Sequence, residues 1–265
     1  MRLTGSGLGC PTWPRCTDES FVSTPEMGIH GLIEFGNRLL TFVLLIIALL
    51  TLIVAFRMRR ERKGLVILAV LLTLGIVIQA VIGGISVLTG LNSWVVGLHF
   101  VVSVVLIGIA AILVKRAYEW SPIRGATLAS FLRWPVLLVG YITIAVGVVV
   151  TGAGPHAGDT DTPRNGLNLE LWQHLHSYPG YLLLSLLAIQ AFALLRATRD
   201  VSRHPAHRVV ILSLAATVVQ AGIGIAQARL GVPPLLTGLH VLGAALTSSL
   251  LVFQFVLIDK ARRAQ

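Results

Sequence analysis

Residues 39–56 read LLTFVLLIIALLTLIVAF, a stretch without a single charged side chain. A helix needs about 20 mostly apolar residues to cross the hydrocarbon core of a bilayer, so this stretch predicts a transmembrane helix. Segments of this kind are predicted at 29–56, 64–88, 94–115, 133–152, 171–196, 207–228 and 235–258. The sequence therefore predicts an all-α polytopic membrane protein with seven transmembrane helices.

The composition supports the same class. The chain has 265 residues, of which 55% are hydrophobic and only 12% charged, whereas a soluble domain has about 25% charged residues. These values exclude a soluble enzyme, a disordered protein and a disulfide-dense secreted module. The net charge of +10 does not indicate nucleic-acid binding, because the cations lie in short loops between apolar segments.

The same cations predict the orientation. Sixteen of the 21 Lys and Arg residues lie in the segments 57–63, 115–133, 196–208 and 260–263. Loops rich in Lys and Arg stay on the cytoplasmic side of a membrane. We therefore expect the N-terminus of this chain to lie outside and its C-terminus inside.

The chain also repeats itself. Residues 79–83 read Gln-Ala-Val-Ile-Gly and precede His99, and residues 220–224 read Gln-Ala-Gly-Ile-Gly and precede His240. The spacing from Gln to His is 20 residues in both cases. Repeats of this kind are common in membrane folds. We predict two half-bundles, an N-terminal half at 1–115 and a C-terminal half at 116–265.

The two halves differ in their number of helices. The second half has four predicted helices, and the first of these runs into Thr-Gly-Ala-Gly at 151–154. The first half begins with the similar Thr-Gly-Ser-Gly at 4–7 and has three. We therefore expect two pseudo-repeated four-helix bundles, with the first helix missing from this chain and preceding Met1 in the native protein.

A few ionisable side chains lie within the apolar segments, where they are costly and mark functional sites. They are Glu34, His99, His174, His176 and His240, all near the ends predicted to lie outside. Histidines on facing apolar helices predict that these side chains bind a haem iron. No spacing of Cys and His residues in the sequence is typical of a structural zinc site. For any single histidine, the alternative is a hydrogen bond between helices.

The second half can hold a six-coordinate haem, which suits electron transfer. His240 is one predicted ligand, and the other is His176 or His174. We prefer His176 because it aligns with Asn37 of the first half.

The first half offers His99 opposite Asn37, which is a weaker ligand than imidazole. This predicts a five-coordinate iron that is open beside Glu34, where chemistry on a bound molecule can occur. Glu34 and Asn37 are three residues apart and are predicted to share a helix face. Arg38 is predicted to pair with Glu34 or with a haem propionate, and His30 to assist.

Two cysteines, Cys10 and Cys16, lie in the loop predicted to be outside. A disulfide is stable in that compartment, and we favour it over two free thiols.

These motifs resemble the haem A synthase family. The resemblance rests on residues 4–11, Thr-Gly-Ser-Gly-Leu-Gly-Cys-Pro, followed by Trp13-Pro14 and Cys16, and on the histidine-bearing helices. Residues 34–38, Glu-Phe-Gly-Asn-Arg, resemble the family's Glu-x-x-His-Arg element. The chain departs from the family at Asn37, where the usual residue is His. Two arrangements are compatible with this difference: an open catalytic iron held by His99 alone, or an altered substrate site to which Glu34 or His30 adapts.

The resemblance implies an enzyme of the bacterial plasma membrane with eight helices in two halves. It implies oxidation of the C8 methyl group of haem O to the formyl group of haem A, through two hydroxylations and loss of water. Haem b is implied in the second half, Glu34 as the catalytic residue, and haem O synthase as a partner. The implied haem-binding set is His99, His176, His240, His174, Asn37 and Arg38, with a disulfide in the outer loop.

Two other functions are considered. One is a dihaem b-type electron-transfer protein without chemistry on haem. The other is a transporter, which is disfavoured because the polar residues lie near one face and not at mid-depth. The electron acceptor, the oxygen source and the formation of a homo-oligomer stay open.

Overall fold

Seven long α-helices make up most of the part of the protein that the structure describes. The computed structural model describes residues 3–123, 127–155, 162–197 and 204–259. Within these ranges a short 3₁₀ helix, Pro25–Met27, precedes the first α-helix. The α-helices are α1 Gly28–Arg57, α2 Lys63–Leu88, α3 Ser93–Ala117, α4 Thr127–Ala153, α5 Leu169–Ala197, α6 Pro205–Arg229 and α7 Pro234–Leu257.

The helices confirm an all-α polytopic membrane protein. All seven are long and apolar enough to cross a membrane, and large side chains such as Phe42, Ile46 and Leu50 of α1 point outward. A soluble protein does not expose so continuous an apolar surface. In the described ranges the only extended pairing is an isolated bridge between Ile123 and Ile258.

One helix boundary differs clearly from the prediction. Helix α4 begins at Thr127, six residues before the predicted start at Arg133. Arg133 therefore lies inside the helix, where it donates to the carbonyl of Ile258 at 2.7 Å and pairs with Asp259 at 3.0 Å. These partners follow the end of α7, so a tertiary contact accommodates a cation that appeared to interrupt the apolar run.

Helix packing follows the repeat. In the first half α2 packs against α1 and α3, and in the second half α6 packs against α5 and α7, while α4 packs against α5 and α7. Helix α3 joins the halves by packing against α7 and α4. The division into two half-bundles and the helix before Met1 stay predictions. Of the cations that predicted the orientation, those at 124, 199, 203 and 260–263 lie outside the described residues.

A buried polar network ties the second half together far from the histidines. The side chain of Gln190 donates to the carbonyl of Ala129 at 3.1 Å and to Gln254 at 3.0 Å. Gln190 and Gln254 are completely buried. The network therefore links α4, α5 and α7 at the end opposite to the N-terminal loop.

Candidate functional site

The N-terminal loop, residues 3–24, covers one end of the first half, which we call the outer end. Gly9 lies directly against the backbone of His30 and Gly31, where a side chain would collide with α1. Trp13 lies against Gly84 of α2 in the same way. The glycine-rich sequence of the loop and the glycine in α2 therefore allow the loop to pack closely on both helices.

A disulfide joins Cys10 and Cys16 within this loop, which confirms the predicted bridge. Both cysteines are completely buried. We expect denatured, unreduced protein to incorporate no maleimide, and reduced protein to incorporate two per chain, as measured by intact mass. Labelling of the unreduced, denatured chain at both positions would contradict the bridge.

Glu34 and Arg38 hold the loop on α1. Glu34 is only 1% exposed; its Oε2 accepts a hydrogen bond from the backbone N–H of Cys10 at 2.6 Å. Its Oε1 pairs with Arg38 at 2.7 Å, since the two residues are four positions apart on one helix. Of the two predicted partners of Arg38, the structure shows Glu34.

Arg38 also binds the backbone of the loop. Its guanidinium donates to the carbonyls of Cys10 at 3.0 Å, Thr12 at 2.8 Å and Arg15 at 2.9 Å. A guanidinium has five N–H donors in a rigid fork, which suits several carbonyls at once. The carboxylate therefore lies at the junction of the helix, the cation and the disulfide loop.

Two further residues near Glu34, His30 and Asn37, do not share its buried position. His30 accepts or donates a hydrogen bond at Nδ1 with the hydroxyl of Ser6, at 2.8 Å. The side chain of Asn37 is exposed, whereas Glu34 is buried. Residues three apart lie about 60° apart around a helix, and α1 packs against only α2 among the other α-helices described. The packing therefore buries Glu34 but not Asn37.

His99 occupies the wall of the first half formed by α2 and α3. A Cβ at Gly83 would lie 3.4 Å from Cε1 of His99, so α2 leaves space for the ring. Its Nδ1 is buried without a hydrogen-bond partner in the described residues. Since Gly83 and Gly84 are adjacent, His99 and Trp13 of the N-terminal loop contact the same turn of α2.

The second half brings two histidines opposite each other, with their rings nearly perpendicular. The ring centres of His176 in α5 and His240 in α7 are 6.1 Å apart, with planes at 81°. Imidazole nitrogens bind transition metals at about 2 Å and ring centres lie roughly 1 Å further back, so two rings on one metal have centres about 6 Å apart. The observed separation fits a shared metal atom.

The surroundings of the pair also fit a bound group. The Nδ1 of His240 is buried without a hydrogen-bond partner among the described residues, whereas His176 contacts the backbone of Thr143. Gly147 clears the space beside His176, because a Cβ there would lie 2.8 Å from the ring. A Cβ at Gly224 would lie 3.6 Å from the ring of His240, at ordinary contact distance.

A cavity of about 700 Å³ contains this pair. Cofactor and ligand pockets commonly measure about 300–1,000 Å³ and are mostly apolar with a few polar groups. His174 also lines the cavity, but its side chain is exposed. Arg229 lines it as well, at the outer end of α6, where a cation suits a carboxylate-bearing ligand. Paired imidazoles in an apolar chamber are the donor set expected for a b-type haem.

The structure thus sorts the predicted residues into two groups. Glu34, Arg38 and the disulfide meet under the N-terminal loop in the first half, while His176, His240 and His174 surround the cavity of the second half. Helix α3 lies between them: its His99 faces α2, and the next residue, Phe100, lines the second-half cavity.

Two glutamines bind the backbone of the candidate histidine ligands, a role that the sequence analysis did not predict. Gln79 donates to the backbone carbonyl of His99 at 2.9 Å, and Gln220 donates to that of His240 at 2.7 Å. The repeat contained the signal, since the spacing of 20 residues from Gln to His is the distance along the chain between these hydrogen-bonded partners.

Comparison with known proteins adds a family to this geometry. The pattern of the COX15-CtaA family, described as cytochrome oxidase assembly protein, matches residues 1–252. The chain belongs to the COX15-CtaA family.

Several relatives of this COX15-CtaA protein are named heme A synthase. The protein from Bacillus pumilus is 34% identical over 160 residues, which cover 57% of this chain and 50% of the relative. Those from Lysinibacillus sphaericus and Listeria welshimeri are 31% identical over 158 residues and 29% over 157 residues, each covering 56% of this chain and 50% of the relative. The chain spans about half the length of the curated relatives that it matches.

Proposed function

We propose that this protein oxidises the C8 methyl group of haem O to the formyl group of haem A. Substrate haem O binds in the first half, near His99 and Glu34, and haem b binds between His176 and His240. The observation that carries the proposal is the asymmetry of the two repeats. In each repeat a glycine lies beside a histidine, but among the described residues a second histidine ring lies opposite it only in the second repeat.

The chemistry requires an oxidant. Each hydroxylation replaces a C–H bond with a C–OH bond. When the oxygen atom is counted as coming from water, each such step releases two electrons and two protons. The resulting geminal diol loses one water to leave the formyl group. Four electrons therefore pass to an acceptor, either dioxygen or a membrane electron carrier.

The residues of the chain divide this work. Haem b, when bound, supplies one-electron transfer. Glu34 accepts protons released near the first-half site, since its carboxylate is the buried acid beneath the loop. Arg38 keeps that carboxylate and the loop together. His99 would bind the substrate iron from α3, and Asn37, which is exposed, offers it no imidazole.

The proposal also covers the arrangement in the cell. The two halves are 1–115 and 116–265, and the outer end lies outside a bacterial plasma membrane. Haem O arrives from a haem O synthase, because that enzyme's product is this substrate. Membership of the family and the names of its relatives do not favour a dihaem electron-transfer protein without chemistry on haem.

Haem analysis after co-expression with a haem O source tests the proposal. We expect haem A, or haem O hydroxylated at C8, in the extracted pigment, because oxidation follows delivery of the substrate. The pigments are separated by chromatography and identified by mass. Cells with the haem O source alone are the control. Haem O that accumulates without any oxidised product in cells containing folded protein would overturn the assignment.

A further inference from the structure

Two interhelical hydrogen bonds occupy equivalent places in the two halves. In each, the Nε2 of a glutamine donates to the backbone carbonyl of the histidine on the following helix. The pairs are Gln79 with His99 at 2.9 Å and Gln220 with His240 at 2.7 Å. Both carbonyls belong to histidines that we propose as haem ligands. Each bond therefore holds the backbone of a residue whose side chain binds the iron.

The helix that carries each glutamine, α2 or α6, contacts the same histidine at a second point. Gly83 and Gly224 come four residues after Gln79 and Gln220 and therefore lie on the same helix face. Each glycine faces the ring of the histidine whose carbonyl the glutamine binds. The amide thus holds the histidine at one height along its helix, and the glycine lies beside the ring of the same histidine.

The surroundings of the glutamines show that this arrangement is built into the packing. Gly243 of α7 leaves the space in which the Gln220 amide lies. In the first half Gln79 also donates to the hydroxyl of Ser103, which itself donates to the carbonyl of His99 at 2.9 Å. Water is scarce in the hydrocarbon core, so such an amide needs a protein partner, and here the partner is the ligand's own backbone.

We infer that Gln220 and Gln79 are positioning residues for the haem-ligating histidines, one in each half. The inference rests on the proposed function, because it takes His240 and His99 as iron ligands. Gln220 holds His240 at the height where its imidazole meets His176, and Gln79 holds His99 in the same way. Partners outside the ligand set commonly change metal affinity by roughly 10- to 100-fold when removed.

A matched control comes from Gln190. This glutamine belongs to the same half, is completely buried, and donates to a backbone carbonyl, that of Ala129, at 3.1 Å. It does not line the cavity of the histidine pair, unlike Gln220. Gln190→Leu therefore removes a comparable bond without touching a ligand helix at the histidine.

The experiment compares Gln220→Leu, Gln79→Leu and Gln190→Leu as full chains purified in detergent with haem b, without haem O. We expect Gln220→Leu to lose haem to excess apomyoglobin roughly tenfold faster than the wild type. We also expect the reduced variant to bind carbon monoxide, since a six-coordinate iron must release a histidine before that ligand binds. Gln190→Leu and Gln79→Leu should leave both properties of the second-half haem unchanged.

Two results would overturn the inference: unchanged haem loss and carbon monoxide binding in Gln220→Leu, or equal changes in Gln190→Leu. If Gln220→Leu is not recovered from membranes, Gln220→Asn replaces it, because its shorter side chain cannot reach the carbonyl. The measurements need no haem O. A positive result without haem A formation would thus contradict only the proposed reaction, whereas wild-type protein without six-coordinate haem would contradict both.

Discussion

Replacing Glu34 by glutamine is expected to lower haem A formation by about 100-fold or more, since proton transfer by a positioned side chain contributes roughly 10²–10⁴-fold. The amide is nearly isosteric and its single oxygen can still accept the hydrogen bond from the N–H of Cys10, but its NH2 group then faces Arg38 and the ion pair is lost. It cannot take up a proton as a carboxylate does. Haem A per chain is measured in extracted pigment, and the second-half haem should be retained.

The control for this variant separates proton transfer from attachment of the loop. Arg38→Gln keeps the carboxylate but loses the bonds from the guanidinium to the carbonyls of Cys10, Thr12 and Arg15. We expect it to increase tryptic cleavage after Arg15, which is exposed, and to reduce haem A formation less than Glu34→Gln does. Glu34→Gln can keep the bonds from Arg38 to the loop carbonyls and should therefore be cleaved less than Arg38→Gln.

Turnover at the wild-type level in Glu34→Gln would refute the catalytic role. A loss of activity that always accompanies faster cleavage after Arg15 would instead make Glu34 an anchor of the loop. The structure supports the test because Glu34 has both a loop contact, to Cys10, and a charged partner, Arg38.

The positions of the helices could be predicted because the bilayer imposes a length on apolar runs. The start of α4 could not, since Arg133 interrupts the run in sequence and its partners, Ile258 and Asp259, come from the other end of the half. A charge inside an apolar segment reads as a boundary unless the contact that accommodates it is known.

The chemistry of the first half could be predicted only as a set of residue types. Glu34, Arg38, Cys10 and Cys16 are visible in the sequence, and the structure shows how they meet. The bonds from Arg38 to three loop carbonyls depend on how the loop folds back on α1, which no periodicity encodes. Asn37 and Glu34 lie about 60° apart around α1, and the structure buries Glu34 but leaves Asn37 exposed.

The choice between His174 and His176 shows a similar limit. Residues two apart lie about 200° apart around a helix, so only one of these histidines can face α7 directly. The sequence does not contain the rotation of α5 about its own axis. In the structure this rotation places the ring of His176 opposite His240 and leaves His174 exposed near the outer end.

This geometry leads to a second large effect, in the second half. Replacing His176 by alanine is expected to abolish the six-coordinate spectrum of haem b and to weaken haem retention by more than the roughly 10- to 100-fold typical of partners outside the ligand set. His240→Ala should behave in the same way, because the two rings face each other across 6.1 Å. The measurements are the optical spectrum of the reduced protein and the haem-to-chain ratio after purification.

His174→Ala is the matched control, since it removes the same side chain from the same helix two residues away and also lines the cavity. It should keep the six-coordinate spectrum and a wild-type haem-to-chain ratio, because its exposed ring does not face His240. Loss of the spectrum in His174→Ala, with retention in His176→Ala, would reverse the ligand assignment. It would also require α5 to be rotated by about 200° relative to the described packing, which would bring Gly147 opposite a residue other than the ring that it now accommodates.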